Sequence, residues 1–489
     1  MTSLENLSSW HSDWKSQKIV VYGLGLSGFS AADTLNELGS QLLVIADRID
    51  AQHADLLEVL GINFLQGRSE EEVIAAVSAF EPTGAIVSPG IKPSNFLVEW
   101  FEKNGTWIMG DVELAWRVQD KVRSPQWILI TGTNGKTTTT QLVEAMLLRN
   151  GKKALACGNI GVPVLDAVRD PEGWDFLVVE ISSFQLHYLG RIAPRVAAIL
   201  NIAEDHVDWH GSFAEYKLAK GKVFDGTTGA IIYNAEDTVT KELALNADVA
   251  SEEVLAVSFT RGMPADLQVG FVEEFLIDRA FYGYRAAELP ELASLEDIEN
   301  IGVVTPHLLA NIAAAAAIAR ACEVSAESIG GAIRDFKLDK HRIEFIAESN
   351  GVAWFDDSKA TNSHAADASL KSFESVVWIV GGLLKGVEIA PLVAENSSRI
   401  SAAIVIGSDR SEVLAALSRH ASHAKVVEIA GVPNAEVMAS AVRAAAQISE
   451  PGDTVLLAPA AASMDQFKDY ADRGNQFAEA VRGIIDEEN

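Results

Sequence analysis

Residues 127–140 read WILITGTNGKTTTT, and most of the fold can be worked out from this stretch. Trp127 to Ile130 is apolar at every position, as expected of a strand covered on both faces. It runs into a glycine-rich turn, then Lys136, then four threonines that open a helix. Phosphate chemistry needs this order. Gly132 and Gly135 let backbone N–H groups approach phosphate oxygens, Lys136 adds a point charge beside the β and γ phosphates, and Thr137 can ligate Mg²⁺. Ile130 stands where the common form of this loop has its first glycine, so the loop is a shortened one. A turn that merely ends a strand is the plain alternative. Packing alone, however, gives no reason for four consecutive threonines at a helix start, since Thr is a mediocre helix former.

Similar runs recur on both sides. Ile19 to Tyr22, Leu42 to Ala46, Phe176 to Val179, Val196 to Asn201, Ala230 to Tyr233, Val376 to Val380, Ala402 to Ile406 and Thr454 to Ala458 all read as doubly covered strands. Helical spacing lies between many of them, as in Ser27 to Leu38 stopped by Gly39 and Lys136 to Arg149 followed by Gly151. Strand–helix alternation of this kind predicts parallel sheets in an α/β chain. At 489 residues the chain divides most simply into three domains. The polar stretch Arg117 to Pro125 and the charged stretch Phe336 to Arg342 mark the junctions, giving 1–121, 122–336 and 337–489. Glu288 to Glu299, with five acids and no base, reads as a solvated loop of the middle domain.

Composition narrows the function. Lys and Arg total 39 against 68 Asp and Glu, a net charge of −29, which opposes nonspecific attraction to nucleic acid or to anionic membranes. Anionic ligands would need local help from helix N-termini, a few placed cations and a metal ion. Cys157 and Cys322 have no metal-ligand spacing and cannot frame a disulfide scaffold, which fits a reducing cytoplasm. No secretory leader and no membrane-length apolar run is visible.

Two more strand ends carry chemistry. Glu180 closes the apolar run of FLVVEISSFQL (176–186), where open α/β sheets bind ligands, and suits a Mg²⁺ ligand. Val196 leads through VAAILNIAEDHVDWH to Glu204, Asp205, His206, Asp208 and His210, acids and imidazoles that suggest a second cation site. Near the N-terminus, VYGLGLSG (21–28) with Asp47 about twenty residues on satisfies a dinucleotide fingerprint. By itself it admits NAD, another nucleotide, or tight packing.

Taken together, GTNGKTT (132–138), EISSFQL (180–186), NIAEDHVDWH (201–210), DKHRIE (339–344), DSKATN (357–362) and PAAASMDQFKDYADRG (459–474) resemble the Mur ligases, in the family's order and over nearly the whole chain. The resemblance is to the members that add D-glutamate. It implies a Rossmann-like N-terminal domain, a central P-loop ATPase-like domain with a parallel sheet, and a Rossmann-like C-terminal domain. It also implies an ATP-dependent ligase that joins D-glutamate to UDP-N-acetylmuramoyl-L-alanine through an acyl phosphate, in cytoplasmic peptidoglycan precursor synthesis, and a monomer.

The residues follow from the same resemblance. Uridine diphosphate would lie against Leu26, Ser27, Asp47, Arg48, Ser88, Pro89 and Gly90. ATP would lie on Gly132, Thr133, Asn134, Gly135, Lys136, Thr137 and Thr138, with Asn311, Arg342 and Asp357. One Mg²⁺ would be held by Thr137 and Glu180 and a second by His206, with Lys220 in EYKLAKGKVF matching the lysine that the family carbamylates. Asn159 in GNIG matches a position near nucleotide and substrate; Lys359, Thr361, Lys385, Ser463 and Phe467 match positions around the acyl phosphate and the amino acid. Two departures stand out. Leu308 replaces a frequent Asn, and Leu383–Leu384 in GGLLKG replace more polar residues. A related ligase for another amino acid or for folate, an NAD-dependent dehydrogenase and a regulator without ligase activity are the rivals. The dehydrogenase leaves GTNGKTT and DSKATN without a purpose, and the regulator leaves Lys220 and Ser463 without one.

Overall fold

The structure is a computed structural model that describes residues 4–119, 122–281, 289–384, 386 and 388–488. It contains three sheets. The first runs in the order Asn63–Gln66, Gln41–Ala46, Lys18–Tyr22, Gly84–Val87, Trp107–Met109, all parallel. The chain leaves the central Lys18–Tyr22 strand in opposite directions on its two sides, so a crevice opens at the carboxyl ends of Lys18–Tyr22 and Gly84–Val87. Its floor is apolar because Ile19, Val20 and Val21 have no solvent exposure.

In the second sheet, Gln126–Thr131 lies between Val196–Ile199 and Phe176–Glu180, parallel to both. All nine strands expected from apolar runs occur, including this central one. The tips of these three strands therefore point the same way, which gathers Gly132, Glu180 and Asn201 at one end of the sheet. The far edge is an antiparallel extension, Gln268–Val272 against Phe275–Asp278, continued by Glu291–Ser294. Here the sequence expectation needs correction. The described part of the acidic stretch, 289–299, holds that strand and the helix Leu295–Glu299. Ser294 caps the helix from Asp297 N and Asp297 caps back, so acids in this run sit at a helix N-terminus, where the dipole favours them.

The third sheet has the order Glu344–Ser349, Val352–Asp356, Thr454–Leu457, Val376–Gly381, Ile400–Ile406, Lys425–Glu428, parallel except for the first hairpin. By its contacts the chain forms two compact units. One is Met1–Ile202, Trp209–Ala293 and Asn311–Ala332, holding the first two sheets; the other is Ala203–Asp208, Ser294–Ala310 and Ile333–Asn489. Within the first unit, Arg169 bonds Asp33, Thr34 and Glu37, and Ser30 bonds Asp166. These join the helix Leu26–Glu37 to the helix Val164–Val168 of the second sheet.

Candidate active site

The Gly132–Gly135 loop opens the helix Lys136–Arg149 with Gly135 in the left-handed region at φ +84°. A side chain there would meet the Asn311 amide, so Gly135 is required both by conformation and by close approach. Asn311 thus reaches the loop from its own helix, while Leu308, one turn earlier, is buried. The loop is fastened at its crown by Asn201, whose Oδ1 accepts from Asn134 N at 2.9 Å and whose Nδ2 donates to Asn134 O at 3.0 Å. Sequence reasoning passed over Asn201, although its place at the tip of an apolar run was the signal. Thr133 N donates to Asn201 O, and Thr133 Oγ1 lies 2.9 Å from the Tyr216 hydroxyl.

Two lysines converge on one carbonyl. Lys136 Nζ donates to Gly132 O and Thr133 O, each at 2.9 Å. Lys220 Nζ, on the helix Phe213–Gly221, donates to the same Gly132 O at 2.9 Å and to Thr131 Oγ1 at 3.1 Å. Lys220 is 2% exposed and sits over the Tyr216 ring, so it is no solvated surface lysine. Thr137 and Thr138 are buried at the helix start.

Glu180 is also buried rather than turned to solvent. Its Oε1 accepts from Asn159 Nδ2 at 2.8 Å, and Asn159 N donates to Glu180 O. Its Oε2 has no hydrogen-bond partner among the described residues. An unpaired carboxylate oxygen in the interior is costly unless a cation or a donor meets it, so the site suits a hard divalent ion. His206, at φ +53°, belongs with the second unit, where its backbone N–H bonds Asp205.

In the crevice of the first sheet, Gly23 takes φ +92° and Ser88 Oγ donates to Gly23 O. A Cβ on Gly28 would overlap Gly23 O, which is why helix and turn pack so closely. A cleft of about 440 Å³ opens here, lined by Tyr22, Gly23, Ala46, Asp47, Gly90, Ile91, Lys92, Ser94 and Asn95. Leu26, Asp47, Arg48 and Gly90 are exposed, and Ser27, Ser88 and Pro89 are half-buried. Ser27 also bonds the buried Asp111, whose carboxyl is pushed up by burial.

In the second unit, Arg342 stands between two left-handed residues, His341 at φ +65° and Ile343 at φ +50°. The turn is braced from below. His341 Nδ1 pairs with buried Asp356 Oδ2 at 2.6 Å, and His341 N donates to Glu344 Oε2. These three side chains have donor atoms within 4.8 Å of one another, but their partners are already each other and the backbone. Asp357 is buried beside Arg342, and desolvation raises its carboxyl to about 6. Lys359 lies over the Tyr470 ring. Arg473, with no solvent exposure, bonds Ser358 Oγ, Ser358 O and Ala461 O, tying the DSKATN turn to the loop that carries Ser463. Burial lowers its guanidinium to about 10. Ser463 is buried, Thr361 is exposed, and Phe467 belongs to the apolar cluster with Trp354 and Phe477. Leu383 pairs with Ala462 through two backbone bonds, so the departure GGLLKG is held against the same loop. Lys385 lies outside the described residues.

Parallel sheets that present a glycine loop beside a buried lysine and a buried glutamate, with a cleft at the strand ends of a second sheet, define an α/β nucleotide-handling enzyme. Comparison with known proteins makes this specific. Residues 130–319 match the Mur ligase middle domain, and residues 341–461 match the Mur ligase glutamate ligase domain. The chain is 47% identical to the UDP-N-acetylmuramoylalanine–D-glutamate ligase of Leifsonia xyli subsp. xyli, over 99% of this chain and 95% of that protein. Among solved structures it shares its fold with the UDP-N-acetylmuramate-alanine ligase of Thermotoga maritima, with a TM-score of 0.56 at 16% identity over 96% of this chain and all of that one. A Thermotoga maritima MurF ligase in complex with ADP matches with a TM-score of 0.54 at 16% identity, over 98% of this chain and all of that one. The chain belongs to the Mur ligase family.

Proposed function

We propose that this chain is an ATP-dependent amide ligase that joins the terminal carboxylate of UDP-N-acetylmuramoyl-L-alanine to the amine of D-glutamate, in peptidoglycan precursor synthesis in the cytoplasm. The observation that carries the reading is the Gly132–Thr138 loop facing buried Glu180 and Lys220, in a chain 47% identical to a ligase of that name along its whole length. No helix among the described residues is long and apolar enough to cross a membrane.

Transfer of the γ-phosphoryl group to the carboxylate demands positioning and charge neutralisation more than covalent help from the protein. Gly132 to Thr138 bind the phosphates through backbone N–H groups at the helix start, with Lys136 drawn from the Gly132 and Thr133 carbonyls onto the transferring group. Asn311 backs the loop and Asn201 keeps its crown rigid. One Mg²⁺ held by Thr137 and Glu180 and a second held by His206 would supply the positive charge that an acidic protein lacks. Lys220 would serve the second ion as a carbamate. A bare ammonium is repelled by a cation, whereas CO₂ added to the neutral amine turns it into an anionic oxygen ligand.

Arg342 and Asp357 bind ATP from the C-terminal segment, with Lys359 beside the acyl phosphate. Thr361, Lys385, Ser463 and Phe467 surround the amino acid. Its amine attacks the acyl phosphate, and phosphate leaves. Leu26, Ser27, Asp47, Arg48 and Ser88 to Gly90 hold the uridine diphosphate at the first crevice. Phosphate release measured with ATP, Mg²⁺ and UDP-N-acetylmuramoyl-L-alanine, plus D-glutamate, L-glutamate or no amino acid, tests the reading. Release that depends on D-glutamate supports it; equal stimulation by L-glutamate overturns the choice of amino acid, and no release overturns the ligase.

A further inference from the structure

The loop that walls the uridine cleft is not held by its own sheet alone. Gly90 and Ile91 line the cleft, and each offers its carbonyl to an aromatic side chain from beyond the first sheet. Tyr188 OH donates to Ile91 O at 2.9 Å, and Trp209 Nε1 donates to Gly90 O at 3.4 Å. Both side chains are more than nine-tenths buried.

They are rigidly mounted. The Trp209 ring lies 4.7 Å from Phe184, 5.3 Å from His187 and 4.5 Å from His210, and His187 lies 4.9 Å from Tyr188. Tyr188 O accepts from Gly110 N, and Gly190 N donates to Glu113 Oε2 at 2.7 Å, so the backbone from the phenol onward is fastened as well. Tyr188 and Trp209 share one apolar cluster with Val20, Tyr22 and Val87 under the crevice. Phe184 and Tyr188 follow Glu180 within eight residues, and Trp209 follows the His206 turn. The segments that carry the metal-binding candidates thus also fasten the wall of the nucleotide cleft.

The geometry points to Tyr188 and Trp209 as positioning residues for the uridine diphosphate end of the substrate, acting through the Gly90–Ile91 carbonyls. This rests on the uridine reading of the cleft. With its carbonyls engaged from behind, the loop keeps its remaining groups turned to the ligand, and its order is set before binding, which lowers the cost of binding. Burial pushes the Tyr188 phenol up, so it stays a donor through the neutral range.

Tyr188→Phe removes one hydroxyl and keeps the ring, and Trp209→Phe keeps an aromatic side chain without the N–H. Calorimetry with UDP on the full-length protein, together with KM for both substrates, reads the effect. The expected result is UDP binding weakened about 3- to 10-fold in each variant, the size of one lost neutral hydrogen bond, with KM for the UDP substrate raised alike. KM for ATP and kcat stay near those of the parent in both variants; the thermal midpoint stays near it in Tyr188→Phe and falls modestly in Trp209→Phe, whose smaller ring leaves space in a buried site. If the parent binds UDP and both variants bind it equally well, or if ATP and UDP weaken together, the positioning role is overturned and the uridine reading stands. If the parent itself does not bind UDP, the uridine reading fails and the inference falls with it.

Discussion

The molecule contains two glycine-rich turns built on one plan, and they differ in what surrounds them. In both, a central parallel strand ends in a turn with a left-handed glycine, at Gly23 and at Gly135, and a helix begins within a few residues. The plan gives each a row of backbone N–H groups for an anion. Around Gly132 to Gly135 the fold adds Lys136, Lys220 and the unpaired Glu180 oxygen, all in or near the interior. Around Gly23 to Gly28 it adds Ser27, Ser88, the exposed Asp47 and an open cleft. On the proposed function, the Gly23 turn only holds a phosphate and the Gly135 turn also moves one: the shared backbone would give binding, and the charges gathered by tertiary structure would give transfer.

The sharpest test of that contrast is Lys136→Ala. Its amine bonds the loop carbonyls of Gly132 and Thr133 rather than filling the core, so the fold should survive while kcat falls about 10³-fold, the usual loss on removing one preorganised charge from a transition state. UDP binding should not change, and a normal rate would end the assignment of ATP to this loop. Lys220→Ala comes next, with a loss of about 10²-fold or more. Formate should restore part of the rate, and mass measured in bicarbonate should show one added CO₂ on the parent. Full activity in Lys220→Ala would mean that the carbamate has no role.

The two turns can then be broken one at a time. Gly135→Ala forces a side chain into the left-handed region and against Asn311, and Gly28→Ala drives one into Gly23 O. Strain of about 1–3 kcal/mol corresponds to roughly 5- to 150-fold in affinity. Gly135→Ala should spend it on ATP and Gly28→Ala on UDP, as read by calorimetry with each nucleotide. Loss of both ligands in either variant would show that the turns are not independent.

The smallest effect lies away from both turns. Asp357 is raised from 3.8 to about 6 by burial, so the folded state favours its proton. The stability of the neutral carboxyl is present below the unfolded value and is lost as pH rises through about 6. Asp357→Asn should therefore be the more stable form at pH 8, by at most about 3 kcal/mol, with the advantage shrinking toward pH 5. A gap that grows on acidification would contradict the burial argument.

Much of this was legible from periodicity. Runs apolar at every position, such as Trp127–Ile130 and Val376–Val380, announced doubly covered parallel strands because a short run closed by Gly or Asn buries both faces most simply as a strand inside a sheet. Strands such as Asn63–Gln66 and Lys425–Glu428 were not legible, since their burial is partial, and the Gln268–Asp278 hairpin was not, since polar residues interrupt its apolar run and its pairing supplies the order. The acidic run 288–299 misled because charge density says nothing about which acid faces a helix N-terminus.

The sequence by itself determined the class of fold, the place of the phosphate loop and the types of residue at the strand tips, because backbone conformation and local spacing settle those. Only the tertiary structure decided that Asn201 locks Asn134, that Lys136 and Lys220 share the Gly132 carbonyl, that Arg473 ties Ser358 to Ala461, and that Tyr188 and Trp209 fasten the Gly90–Ile91 loop. Such contacts join residues up to more than a hundred positions apart, and no local rule of conformation or periodicity reaches across that distance.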